Sequence, residues 1–347
     1  MEIANLVAKA PKQNQTYLAE LHNLLLAPII QRCICFVTTV GIPDLLAVHP
    51  QSAEELATKT NMHAPSLYRV LRALAGAGIF RLNEEKKFEM TPMAEGLRSD
   101  VPDSLRDFAI FIGSERIWNG WGALPKTIAT GITAQKLLYG KEIFDYLDEH
   151  PDEAEIFNRA MTANTIRAIP AILDAYDFAA IKTLVDVGGG EGMLLAKILK
   201  AYPEMKGVLF ELQSVADTAG PTFSKEGVRD RVNIVGGDFF KQSPPAGDAY
   251  VLKFIIHDWD DELSIIILKN IASAMDKKSK LLILESVMPE DNEPSLTKLR
   301  DLQMLLLAGG KERTAEEYHE LLKRAGLKIN NIYSTKSFLD IIEIELS

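Results

Sequence analysis

Between Thr183 and Glu285, short and almost wholly apolar runs (TLVDV, GVLFEL, VNIVGG, AYVLKFII, KLLILES) alternate with longer stretches whose apolar residues recur at helical spacing (MLLAKILKAY, SVADTAGPTF, ELSIIILKNIASAM). Runs apolar on both faces need cover on both sides, so this alternation predicts a parallel, doubly wound sheet of the α/β class. Two later runs, LKINNIYST and KSFLDIIEIEL, predict strands that pair antiparallel at an edge. The front of the chain follows a different pattern. Ser52 and Glu55 form a capping box that starts a helix. A second helix from Pro65 carries Leu67, Val70, Leu71 and Leu74 as its apolar stripe. IFRL and KFEMT, joined around Asn83-Glu84-Glu85, predict a hairpin. Helix, turn, helix and hairpin make a winged-helix pattern. Residues 101–176 read as further helices, with Trp118 and Trp121 beside Gly120 and Gly122. The expected division is therefore 1–100, a helical linker over 101–176 that contributes to a pocket, and an α/β domain over 177–347.

Charge narrows what the winged helix can do. Residues 1–100 hold ten Lys/Arg and ten Asp/Glu, so no basic footprint for nucleic acid is visible, and packing or dimerisation is the expected role. The whole chain of 347 residues carries a net charge of −10, which disfavours nucleic acid and anionic membranes as partners. The most apolar early window, Leu24–Val40, is interrupted by Pro28, Gln31 and Arg32 and reads as too broken to span a bilayer. The N-terminus lacks the basic-then-apolar pattern of a signal peptide. Cys33 and Cys35, two apart on a predicted helix, suit neither a disulfide nor a metal clip. A reducing cytoplasm is the expected compartment.

The candidate chemistry begins at a glycine turn. Strand TLVDV feeds into Gly188-Gly189-Gly190-Glu191-Gly192 and then a helix, the place where open α/β sheets bind ligands. Glu211, ending the next strand, is placed to accept hydrogen bonds from ribose hydroxyls. Asp238, after the third strand, can accept from an adenine amino group while Phe239 packs on the ring face. A nicotinamide cofactor competes for this reading, but the last glycine of its G-x-G-x-x-G fingerprint would fall on Met193. The turn, with Asp186 inside the preceding strand, suits a nucleoside lacking a pyrophosphate.

LVDVGGGEG, FELQSV, GGDFF, LKFIIHDWDDE, LLILESVMPE and GGKERTAEEYHELLKRAGL occur in this order. In them the chain resembles the S-adenosylmethionine-dependent O-methyltransferases of the plant caffeate/hydroxyindole and bacterial antibiotic-tailoring type, and the resemblance extends to the winged-helix front. It implies a Rossmann-like domain behind a dimerisation domain, and a homodimer in which one subunit reaches toward its partner's substrate pocket. It implies S-adenosylmethionine as cofactor, with Gly188, Glu211, Asp238, Phe239 and Lys253 lining its site. One departure is FELQ, where the family has Phe-Asp-Leu-Pro. Glu211 is one methylene longer and still reaches a ribose diol.

A phenol, with a pKa near 10, attacks poorly at neutral pH unless a base removes its proton, and histidine is matched to that task. His257 lies where an apolar strand-like run ends beside the crevice. Glu285 ends the next strand and Glu312 lies in GGKERT. A buried acid needs a partner, and imidazolium is the obvious one. The resemblance makes His257 the general base with both glutamates supporting it. Asp258 is expected to bond substrate or cap the next helix, Asp260 and Asp261 to start that helix, and Trp259 to pack on the adenine side. No metal is expected, because no clustered His/Cys/Asp set is visible.

By resemblance the acceptor lies between IFNRAMTANTIRAIPAIL and DLQMLLLAGG, with Phe157, Met161 and Met304 clamping an aromatic ring and Asn164 and Asp301 near that wall. The stretch LLAGG is more apolar than its plant counterpart, which favours a flat hydroxylated ring system, such as a secondary metabolite. Two other functions fit the same pattern. One is a relative that keeps the cofactor but performs decarboxylation, hydroxylation or rearrangement. The other is a winged-helix regulator that senses a small molecule. The presence of His257, Glu285 and Glu312 together favours methyl transfer.

Overall fold

A computed structural model describes residues 14–347. They form two compact units, and the helical stretch 101–176 is shared between them instead of standing apart. One unit runs to Asn119 and takes up Asp152–Ala163; the other comprises Gly120–Pro151 and Asn164–Ser347.

The first unit is built on α1 (Asn14–Thr39), which carries Pro28 without breaking. The reading of Leu24–Val40 as too interrupted to span a bilayer is therefore corrected. The helix is long and apolar enough by length and composition, and most of it is exposed. Its C-terminal half packs into the unit's core, where Val37 joins Leu56, Leu67, Leu71, Leu74, Phe80 and Phe88. Arg32 turns inward: its guanidinium donates to Gly113 O at 2.6 Å and lies over the Trp118 ring at 4.7 Å. The helix Ala53–Thr60 has the expected reciprocal capping box between Ser52 and Glu55, and Ala64–Gly76 follows it. β1 (Phe80–Leu82) and β2 (Phe88–Met90) pair antiparallel, completing the winged helix. Cys33 and Cys35 are both free thiols.

In the second unit, β3 (Thr183–Val187), β4 (Lys206–Glu211), β5 (Val232–Gly236), β6 (Ala249–Lys253), β7 (Lys280–Glu285), β8 (Leu327–Ser334) and β9 (Asp340–Leu346) form one sheet in the order β5-β4-β3-β6-β7-β9-β8. The first five are parallel; β9 enters antiparallel beside β7, and β8 pairs antiparallel with β9 at the edge. Two apolar layers cover the faces. Helix Met193–Ala201 contributes Leu195, Ile198 and Leu199 to one, and helix Asp261–Ala274 contributes Ile267, Leu268 and Ile271 to the other. The order of strands reverses at β3, so the C-terminal ends of β3 and β6 frame the crevice where such sheets bind ligands.

One strand differs from expectation. AYVLKFII was expected to run straight to His257, but β6 stops at Lys253. Phe254 adopts a left-handed backbone (φ 56°) and turns the chain off the sheet, and Ile256–Asp258 then form a short 3₁₀ turn.

Candidate active site

The glycine turn is tight because its neighbours leave no room for side chains. Gly188 has φ 70°, and a Cβ there would lie 2.7 Å from Ile255 Cδ1 and 3.3 Å from Phe239 Cε1. Beneath the turn, the buried carboxylate of Asp186 has no side-chain hydrogen-bond partner on either oxygen, and only the Leu195 backbone N–H bears on it. Burial pushes its acid up to about 7; Lys253 opposes the shift and Glu211 adds to it. Burial likewise brings the Lys253 ammonium down to about 8, against the attraction of Asp186. Glu211 accepts Gly190 N–H at 2.8 Å and Leu212 N–H at 2.7 Å, which ties β4 to the turn and leaves further lone pairs on each oxygen. Asp238 is already engaged by Phe240 N–H at 2.9 Å and by Lys241 at 2.8 Å. Burial raises its acid, but these partners outweigh that and hold it below the ordinary carboxylate range. Phe239, Phe240 and Trp259 form an aromatic cluster, with Trp259 4.8 Å from Phe240 and also against Phe144 at 5.5 Å. An unpaired acid, a lysine with a lowered pKa, a second acid with free lone pairs and an aromatic wall fit a nucleoside bearing an amino-acid tail.

His257 is buried, and its backbone and ring are held separately. Glu285 Oε1 accepts both Ile255 N–H (3.0 Å) and His257 N–H (3.1 Å), while Glu285 Oε2 accepts the Tyr318 hydroxyl. Arg313, fully buried, donates to Ile256 O at 3.0 Å, Trp259 O at 2.9 Å and Asp261 at 2.8 Å. The ring is fixed by Glu312, whose Oε1 lies 2.9 Å from Nδ1. A proton on Nδ1 donates to that carboxylate and leaves the lone pair on Nε2. Asp258 Oδ1 stands 3.6 Å from Nε2. Burial works against the charged ring, but Asp258, Glu312 and Glu285 together raise its pKa above the ordinary value. Burial also pushes Asp258 up to about 7, with His257 opposing.

These contacts correct two expectations. Glu285 does not touch the imidazole; it supports the turn through the backbone. Asp258 does not cap the following helix, since the cap is Asp260, whose side chain accepts Leu263 N–H. Asp301 also acts on backbone, accepting Glu312 N–H at 2.9 Å and so holding the loop that carries Glu312.

Residues 121–328 match the model of an O-methyltransferase domain, and residues 23–100 that of an O-methyltransferase dimerisation domain. The chain belongs to the O-methyltransferase family. It is 44% identical to the phenazine O-methyltransferase of Lysobacter antibioticus over 304 residues, covering 88% of this chain and 89% of that protein. The solved structure of a mitomycin 7-O-methyltransferase superposes with a TM-score of 0.89 at 32% identity, covering 96% of this chain and 98% of that one. An O-methyltransferase from neocarzinostatin biosynthesis, solved with S-adenosylmethionine and 2-hydroxy-5-methyl naphthoic acid, superposes with a TM-score of 0.80 at 30% identity, covering 91% of this chain and 96% of that one. The methyltransferase uses S-adenosylmethionine and transfers its methyl group to oxygen.

The residues expected on the acceptor side of this O-methyltransferase fall in both units. Phe157 and Met161, on the part of the long helix Pro151–Ala175 that belongs to the first unit (Asp152–Ala163), are half-buried, with Phe157 edge-on to Phe111 at 5.8 Å. Asn164, Asp258 and Met304 belong to the second unit and are also half-buried. Among the described residues, no group of three or more His, Cys, Asp or Glu side chains is placed to hold a metal ion. Sequence reasoning missed Tyr318, Arg313, Arg300 and Phe254. Tyr318 sits at a buried helical position after GGKERT and was detectable by period; a fully buried arginine has no such signal.

Proposed function

We propose that this O-methyltransferase methylates a phenolic hydroxyl on a flat, fused aromatic acceptor, with His257 as the base that takes the hydroxyl proton. One observation carries the reading: a buried imidazole whose Nδ1 is held by a buried carboxylate at 2.9 Å, which presents Nε2 as the acceptor. S-adenosylmethionine, when bound, supplies a methyl group on a sulfonium, a good leaving group. The chain's own residues do the rest. Glu312 fixes the tautomer and offsets the charge the ring gains. Glu285, Tyr318 and Arg313 hold the turn that carries the ring. Glu211 receives the ribose hydroxyls, and Asp186 with Lys253 receives the amino-acid end. Asp238 and Phe239 border the adenine. Asn164, Asp258 and Met304 of the second unit line the acceptor side. The phenazine, mitomycin and naphthoate relatives support a fused-ring acceptor. Mass spectrometry after incubation with labelled methyl donor and a panel of hydroxyphenazines, hydroxynaphthoates and simple phenols tests it, and label found only on simple phenols would reject the fused-ring class.

Glu211→Ala is expected to weaken S-adenosylmethionine binding by about 1.5–3 kcal/mol, the value of hydrogen bonds to a charged acceptor. Calorimetry reads this directly. NAD should show no heat of binding, and a chain that bound NAD but not S-adenosylmethionine would refute the assignment of the site.

Assembly as a homodimer through the first unit is part of the same proposal. Leu18, Leu21, Leu25 and Ile29 lie along one exposed stripe of α1, with Leu18 70% and Leu25 69% exposed. A stripe this apolar needs a cover, and the match to a dimerisation domain supports a second copy as that cover. Light scattering at micromolar concentration should give twice the chain mass, and Leu18→Glu/Leu25→Glu should reduce it to one chain. A fully active monomer would contradict the proposal.

A further inference from the structure

Resting on the reading of His257 as the base, we infer that Phe254 is a positioning residue: its ring, clamped beneath Arg300, sets the plane of the His257 imidazole. The two rings are nearly parallel, 9° apart with centroids at 4.8 Å. On Phe254 the Arg300 guanidinium lies 4.8 Å from the centroid, and the same guanidinium lies 5.4 Å from Phe338. Phe338 is itself parallel to Phe254, 8° apart at 6.1 Å. Arg300 is fixed in turn, donating to Ser286 Oγ at 2.6 Å, and the Ser286 hydroxyl donates to Phe338 O. Imidazole, phenyl, phenyl and guanidinium thus form one braced stack inside the second unit.

The geometry explains why such a brace is needed. The hydrogen bond from Nδ1 to Glu312 fixes one edge of the imidazole and leaves tilt of its plane to be limited by what packs on the ring's faces. A flat face packed along the ring removes the tilt and so fixes where Nε2 points. The backbone points the same way. Phe254 sits at φ 56°, a region that glycine enters freely and a bulky residue enters only at a cost. A large ring held there against its backbone preference is compensated by its packing, in which the imidazole joins Phe338, Arg300 and Lys253.

The experiment compares Phe254→Gly, Phe254→Leu and Phe254→Tyr, each alone and with His257→Ala, by steady-state kinetics on the full chain. Glycine accepts φ 56° without strain, so that variant keeps the backbone and loses only the ring. Phe254→Gly and Phe254→Leu are expected to lower kcat by about 10- to 100-fold, the cost of a misplaced catalytic group, with a smaller rise in KM for S-adenosylmethionine because Lys253 Nζ also lies 4.5 Å from the Phe254 ring centroid. Phe254→Tyr, which keeps the ring face, should retain most of the turnover. In the His257→Ala background, losing the Phe254 ring should cost nothing further, because it acts through the imidazole. The inference is overturned by wild-type kcat in Phe254→Gly, by a change confined to KM for S-adenosylmethionine, or by a full additional loss in the His257→Ala background. If His257→Ala alone keeps wild-type turnover, the base reading falls; if His257→Ala is impaired and Phe254→Gly is not, only this inference falls.

Discussion

His257→Ala is expected to lower turnover by about 10²–10⁴-fold at pH 7, the range for a positioned acid–base group, while leaving S-adenosylmethionine affinity nearly unchanged. The pH dependence separates the base from a site that merely holds a preformed phenolate. In the wild type the base must be neutral, and its pKa is raised above the ordinary histidine value by Asp258, Glu312 and Glu285 against burial. Activity should therefore rise with pH through a limb lying above about 6.5, the unperturbed value. The mutant lacks that limb, and its rate should climb toward pH 10 as the phenol ionises unaided. Proximity alone predicts a loss of less than about tenfold at every pH, and that result would remove His257 from the base role. The two glutamates should behave differently from one another. Glu312→Gln keeps an acceptor for Nδ1 but loses the charge, so it should lower kcat and move the limb to lower pH. Glu285→Gln touches only backbone donors and the Tyr318 hydroxyl, so it should lower thermal stability with less effect on the limb.

Gly310→Ala is expected to damage both stability and turnover, although glycine there needs no unusual backbone. A Cβ at this position would overlap His257 O and the Asp258–Trp259 peptide, which are backbone atoms and cannot swing aside. The loop carrying Glu312 would have to move away from the turn carrying His257, breaking the 2.9 Å contact between them. Overpacking of this kind costs about 1–3 kcal/mol. Displacing the carboxylate from the imidazole should cost on the order of 10²-fold in kcat. Thermal melting and steady-state kinetics read the two effects separately, and an alanine variant with wild-type values in both would show that the loop is not pinned by this contact.

Much of the second unit was legible because parallel strands buried on both faces are written as unbroken apolar runs, as in LLIL of β7. The glycine turn and Glu211 could be read from spacing along two adjacent strands. The end of β6 could not. Phe254, Ile255 and Ile256 continue the apolar run, and what holds the chain off the sheet is Glu285, distant in sequence, accepting the N–H groups of Ile255 and His257. The same non-local logic hid Arg313: a guanidinium in a charged stretch reads as solvated, yet it is buried because two carbonyls and Asp261 surround it. Leu24–Val40 misled for the opposite reason. Pro28 was read as an interruption, but the chain is helical on both sides of it.

The position of β9 has a consequence for how the enzyme matures in the cell. The strand that carries Glu285 has β9 as its outer neighbour, with Asp340 registered opposite Glu285. Ile341, Ile342 and Ile344 of β9 are fully buried. A ribosome emits the glycine turn and His257 well before it emits β9, so through that interval β7 faces the nascent chain with an open edge and the acid beneath His257 lacks its full enclosure. Burial of Glu285, and with it the support of the turn that carries His257, is therefore completed only when β9 has joined the sheet, in a late step of synthesis.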